Sequence, residues 1–166
     1  SLPGMPCLYY GDELGMGDWP GLRDRDPNRT PMAWTPARNG GFSTAPDPLL
    51  VLPPITAPGY DYRVVNVEVQ KQLPGSLLNW HRRMLTCRRL LPALRHGSFR
   101  LLQSPHPGVL VYLRCTEAMT VLVAANVTAA GASLSLDLSE WAGERTREVM
   151  WGCEFPPAAA EWFVNL

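Results

Sequence analysis

The sequence predicts an α+β chain in two parts: a buried strand, a long proline-rich loop and an amphipathic helix come first, and an antiparallel β-sandwich follows. Three patterns carry this expectation. Met5 to Tyr10 form a short apolar run between Gly4 and Gly11, the length and aromatic content of a buried strand. Leu77, Trp80, Met84, Cys87 and Leu91 recur at spacings of three and four and draw one apolar stripe on a helix. Ser133 to Leu138 alternate polar and apolar, the period of a half-buried strand. With 46% hydrophobic residues, the 166-residue chain has the material for a packed core.

The elements follow in order. Charged residues crowd just past the opening run, and in folds built on parallel strands ligands bind beyond the carboxyl ends of the strands. Residues 15–64 are punctuated by Pro20, Pro27, Pro31, Pro36, Pro46, Pro48, Pro53, Pro54 and Pro58 and hold little regular structure. Loops this long in compact domains are usually functional or disordered. Trp19, Trp34, Phe42, Tyr60 and Tyr62 favour an ordered, packed loop. Asn66 to Gln72 reads as a short helix broken by Pro74-Gly75. Ser76 then caps a helix over 76–91 that Pro92 ends. Arg82, Arg83, Arg88 and Arg89 read as its solvated face. From Gly97 the period becomes two, with strands expected at Phe99–Gln103, Val109–Arg114, Met119–Asn126, Ala132–Leu138, Glu144–Trp151 and Glu161–Leu166.

Fifteen basic residues balance fifteen acidic ones, so neither nucleic acid nor an anionic membrane is an expected partner. No apolar run approaches the roughly 20 residues that cross a bilayer, and residues 1–20 lack the pattern of a signal peptide. Cys7, Cys87, Cys115 and Cys153 are widely spaced and read as buried free thiols, which favours a reducing, cytoplasmic compartment.

The candidate chemistry lies early. Asp12 and Glu13 suggest paired carboxylates, but neighbours on a strand face opposite ways, so hydrogen bonding that closes the strand end is the better reading. Asp24, Asp26 and Asn28 alternate like the first ligands of a calcium loop, yet Arg29 and Thr35 occupy the positions needing glycine and glutamate. A polar cluster in which Asp24 or Asp26 orients an arginine toward sugar hydroxyls fits better, because a guanidinium offers several donors in rigid geometry. A structural ion pair is the competing reading. His81, His96 and His106 share no spacing with a nucleophile, and Asn126-Val127-Thr128 is a chance-level glycosylation sequon. Trp141, Trp151 and Trp162 are read as sandwich core before sugar platforms.

The string Gly4 to Glu13 resembles the eighth-strand motif of the α-amylase superfamily of glycoside hydrolases. Arg29-Thr30-Pro31-Met32-x-Trp34 resembles the oligo-1,6-glucosidase-like branch. Asn39 to Ser43, Leu52 to Ile55, Gly59 to Tyr62, Val65 to Gln70 and Ser76 to Trp80 narrow the likeness to the trehalose synthase family. This resemblance implies that residues 1–96 are the last strand, long loop and last helix of a (β/α)8 barrel and that residues 97–166 are a C-terminal β-sandwich domain. It implies maltose and trehalose as small sugar substrates, the rest of the barrel as a partner, and a homo-oligomer left open. No cofactor is implied, with calcium confined to the rest of the parent. Arg29 matches the arginine that closes the pocket around a glucosyl unit, with Asp24 and Asp26 as its neighbouring carboxylates. No catalytic residue is expected here, because the reacting carboxylates of the family lie on earlier strands, upstream of Ser1. A hydrolytic α-glucosidase and a non-catalytic sugar-binding module are the rival expectations. Ala33 stands where glutamine is usual, Arg23 where glycine is common and Cys115 where a charge is usual. Residues 155–162 are short enough to leave the sandwich one hairpin fewer.

Overall fold

The computed structural model describes residues 1–144 and 146–150, and the backbone of residues 161–165. Trp151, Cys153, Phe155, Leu166 and the side chain of Trp162, all named above, lie outside the described residues. The chain forms two compact units, one of Pro6–Arg83 and one of Ser1–Met5 with Met84–Leu166.

The Pro6–Arg83 unit contains single 3-10 turns at Asp12–Leu14, Asp26–Asn28, Arg38–Gly41 and Asp47–Leu49, before helix α1 (Val67–Gln72) and the start of helix α2 (Leu77–Leu90). Its core joins Leu14, Val67 and Leu78, with Met16, Met32 and Val65 packed against them. Met32 lies mid-loop, so the proline-rich segment is pinned to the helices and is ordered. The expected strand over residues 5–10 does not form: Met5 is 93% exposed and Leu8, Tyr9 and Tyr10 are also exposed. A strand exists only through ladder bonds to a neighbour, and no described strand pairs with this run. Cys7 is therefore exposed, contrary to the expected burial, while Cys87 and Cys115 are partly buried free thiols.

The helix expected over 76–91 forms as one element, α2, and a further short helix follows it directly. Ser76 Oγ accepts the Asn79 N–H at 3.2 Å and caps α2, which stops at Leu90. Pro92 ends α2 as expected, since the residue before proline is driven out of the helical region and Leu91 is extended, and the same proline opens helix α3 (Pro92–His96), which was not expected. The stripe is also corrected. Leu77 and Trp80 are exposed, and the buried side chain is Leu78, which meets Leu14 and Val67. Arg88 is not simply solvated, since its guanidinium donates to the Leu94 and Gly4 carbonyls, both at 2.6 Å.

The other unit is built on strands β1 (Ser98–Leu101), β2 (Val109–Thr116) and β3 (Met119–Asn126), an antiparallel sheet in that order. Thr116 pairs with Met119, so Glu117-Ala118 is a two-residue hairpin turn. A second antiparallel pair joins β4 (Ser133–Asp137) to β5 (Glu161–Asn165). Val109 and Val111 of β2 share one core with Ala132, Leu134, Leu136 and Leu138, and Leu122 and Ala124 of β3 pack against it. The alternation read from Ser133 to Leu138 is the alternation of burial. Trp141 also packs on this core, with the Arg100 guanidinium 5.0 Å above its ring. Arg114 is 1% exposed and donates to the Ser1 and Gly97 carbonyls at 2.6 and 2.9 Å. The strand expected from Glu144 does not form among residues 146–150, which contain one isolated bridge at Arg147. Glu148 Oε1 accepts the Met150 N–H at 2.7 Å, a local bond that competes with a ladder. Burial, then the charge of Glu148, pushes the Cys87 thiol above its ordinary pKa and keeps it protonated.

Candidate functional site

The site begins at a glycine turn. Gly11 takes φ +93°, and a Cβ there would lie 2.8 Å from Met16 Sδ, so both the backbone and the space favour glycine. The turn folds Asp12 and Glu13 back on the chain: Asp12 Oδ2 accepts the Tyr9 N–H at 3.0 Å, and Glu13 Oε2 accepts the Gly11 N–H at 2.9 Å. Both carboxylates are engaged by main chain on either side of Tyr10.

Tyr10 reaches across twenty residues of sequence, its hydroxyl donating to the Thr30 carbonyl at 2.9 Å. Thr30 is 1% exposed, whereas its neighbours Arg29 and Pro31 line a cleft of about 350 Å³ with Phe42, Ser43 and the Leu49 to Leu52 run. Phe42 is also part of the wall of a second open hollow, beside Arg38 and Thr44. An exposed aromatic ring and a guanidinium over an apolar floor suit a small polyhydroxylated ligand, stacking against the ring and donating to hydroxyls.

Arg29 follows the Asp26–Asn28 turn and lies 3.8 Å from Asp26 Oδ1, with the two side chains 50% and 53% exposed. A pair so solvated contributes about 0–1 kcal/mol, so the guanidinium is not committed to Asp26 and remains available to a ligand. Among the described residues, Asp26 and not Asp24 pairs with Arg29. Asp24 instead occupies a left-handed backbone position, φ +57°, one that aspartate tolerates better than most residues. No described group of three or more His, Cys, Asp or Glu is arranged to hold a metal ion.

The loop carrying Arg29 is fixed at its far end by helix α1. The Ala33 and Trp34 carbonyls accept the Val67 and Glu68 N–H groups at 3.1 and 3.0 Å, while Asn66 Oδ1 accepts the Val69 N–H at 2.8 Å. Three amides that a helix start leaves unpaired are thereby satisfied. Ala33 is 2% exposed, so this position lies within the loop packing. Asn39, left-handed and buried, donates to the Ser43 and Ala45 carbonyls at 3.1 and 2.8 Å and shapes the chain on both sides of the cleft wall. Sequence reasoning missed Tyr10 and Asn39 as site residues. The signals available were a hydroxylated aromatic immediately before a turn glycine, and an Asn-Gly-Gly run. His81 bonds its own helix at the Leu77 carbonyl, His106 accepts from the Gly108 N–H, and Asn126 ends β3.

Comparison with known proteins matches residues 1–97 to the alpha amylase catalytic domain and residues 99–166 to the maltogenic amylase C-terminal domain. The chain is 47% identical to trehalose synthase/amylase TreS of Mycobacterium tuberculosis, across 94% of this chain and 26% of that protein. It is 41% identical to a trehalose synthase of Thermus thermophilus, across all of this chain and 17% of that protein. Among solved structures, a trehalulose synthase MutB mutant aligns with a TM-score of 0.75 at 24% identity, covering 99% of this chain and 34% of that one, a likeness of fold. The chain spans about a quarter or less of the length of these curated relatives.

Proposed function

The chain belongs to the α-amylase family, and from that membership we propose that it is the C-terminal part of a trehalose synthase, which isomerises maltose to trehalose by retaining, intramolecular glucosyl transfer. One observation carries this reading: 41 to 47% identity to proteins named trehalose synthases across 94 to 100% of the chain. Residues 1–96 are then the end of a (β/α)8 barrel and residues 97–166 a C-terminal β-sandwich. The two family models, which meet between residues 97 and 99, support that division. The apolar run at 5–10 becomes the eighth strand when the rest of the barrel supplies its neighbours.

In this reading the chain binds and does not react. Arg29 donates to hydroxyls of the glucosyl unit, Asp24 and Asp26 set the charge beside it, and Phe42 presents a ring to the sugar. The reacting carboxylates belong to earlier strands of the whole protein, and the chemistry needs no cofactor from this chain. The three described free cysteines support a reducing, cytoplasmic setting.

The test is made on the full-length protein with maltose, by quantifying trehalose and glucose together. Trehalose should be the major product, and predominant glucose would select the hydrolytic reading. Arg29→Ala should lower kcat/KM by about 10- to 100-fold, the effect of losing hydrogen bonds from a charged donor. An unchanged kcat/KM would remove Arg29 from the pocket.

A further inference from the structure

We propose that Tyr10 is the positioning residue for Arg29: its hydroxyl holds the main chain at Thr30 and thereby sets where the guanidinium meets the sugar. This deepens, and rests on, the reading of Arg29 as a sugar clamp.

Burial alternates along the segment. Thr30 is buried while Arg29 and Pro31 face the cleft, so a tether on Thr30 fixes the residues on both sides of it. Pro31 has no N–H, and among the described residues Tyr10 is the one side chain that hydrogen-bonds the main chain of residues 29–31. The Arg29 N–H is already taken by the Asp26 carbonyl at 3.0 Å. Arg29 is therefore held on one side by its own turn and on the other by Tyr10, while its side chain stays half-exposed and its ion pair long. The tether is itself braced. Asp12 and Glu13 accept the N–H groups of Tyr9 and Gly11, one on each side of Tyr10, which gives the two carboxylates a purpose that needs no proton transfer. A mobile arginine would have to be ordered by each substrate molecule, and pre-ordering it removes that cost from binding.

The experiment is a double-mutant cycle in the full-length protein, with maltose as substrate. Tyr10→Phe keeps the ring and removes only the donor. KM should rise about 3- to 10-fold, with kcat within about twofold and the thermal midpoint within about 2 °C. In an Arg29→Ala background, the same substitution should change KM by less than about twofold, because the tether then has nothing to position. If Arg29→Ala weakens binding while Tyr10→Phe is silent, or if the two effects multiply, Tyr10 does not act through Arg29 and the proposal is wrong. If Arg29→Ala is itself silent, the sugar-clamp reading fails first. Should Tyr10→Phe fold poorly, 3-fluorotyrosine at position 10 keeps the ring and hydroxyl but ionises at lower pH. The alkaline rise in KM must then move to lower pH, and an unmoved profile overturns the proposal.

Discussion

Tyr10 is useful at the level of a single residue because its phenol must be protonated to donate. Desolvation first, then the hydrogen bond and charge of Tyr9, raise its pKa above the ordinary value, while the positive charge of Arg29 opposes them. The ring is half-exposed, but the bond to Thr30 is partly buried, which is where desolvation acts. A raised phenol pKa means that the folded loop keeps the proton to higher pH than the unfolded chain does. The contribution is then complete below the ordinary tyrosine value of about 10 and is lost as pH rises through the folded value. The ratio of KM between Tyr10→Phe and wild type should accordingly be flat from about pH 6 to 9 and fall toward one above about pH 10. Measuring both enzymes at each pH cancels titrations that they share, and a ratio that grows with pH would contradict the sign.

The element that holds the site together is α1, six residues long and too short to be stable by itself. It persists because the loop supplies its N-terminal partners: Ala33 and Trp34 by their carbonyls, and Asn66 by its side chain. Asn66 is fully buried and also donates to the Tyr62 carbonyl at 2.9 Å, so Asn66→Ala deletes a cap and strands a buried acceptor. The expected cost is about 2–3 kcal/mol, read from denaturant unfolding of the full-length protein, with Asn66→Asp in between because it retains the acceptor alone. The cap at Ser76 and the alternation of β4 were legible in the sequence because each depends on local chemistry and on the spacing of a few side chains, whereas Asn66 was read as part of the helix that it caps. The two strands of the β2–β3 hairpin were legible too, but β2 runs two residues past the expected end at Arg114, because Cys115 and Thr116 are held by their pairing with Thr120 and Met119. What was not legible depends on partners. Residues 5–10 have strand composition but no ladder, Leu78 and not the Leu77 stripe finds a core, and Pro92 starts a helix whose existence hangs on β2 and β3 packing beside it. Arg29 and Asp26 were named from sequence, but Tyr10 and Asn39 reach the site through main-chain bonds, which leave no periodic trace.

Over the whole molecule, exposed apolar side chains are too many for ease in water. In the Pro6–Arg83 unit Val51 is 96% exposed, Leu49 72% and Trp80 41%; in the other unit Val127 is 74% exposed and Leu101 61%. Surfaces of this kind mark contacts with other protein, and an unpaired apolar run such as residues 5–10 offers its main-chain groups to any passing strand. If the rest of an α-amylase barrel covers this chain, the isolated 166 residues should self-associate at micromolar concentration and form no trehalose from maltose. Sedimentation and product analysis would read the two outcomes. Amide exchange separates covering from mere loss of activity. Residues 5–10 should exchange their amides fast in the isolated chain, where no described strand pairs with them, and slowly in the full-length protein, where ladder bonds protect them. A monodisperse, cooperatively melting fragment with the same exchange pattern as the whole protein would show that these residues need no barrel, and the placement of residues 1–96 at a barrel's end would fall with it.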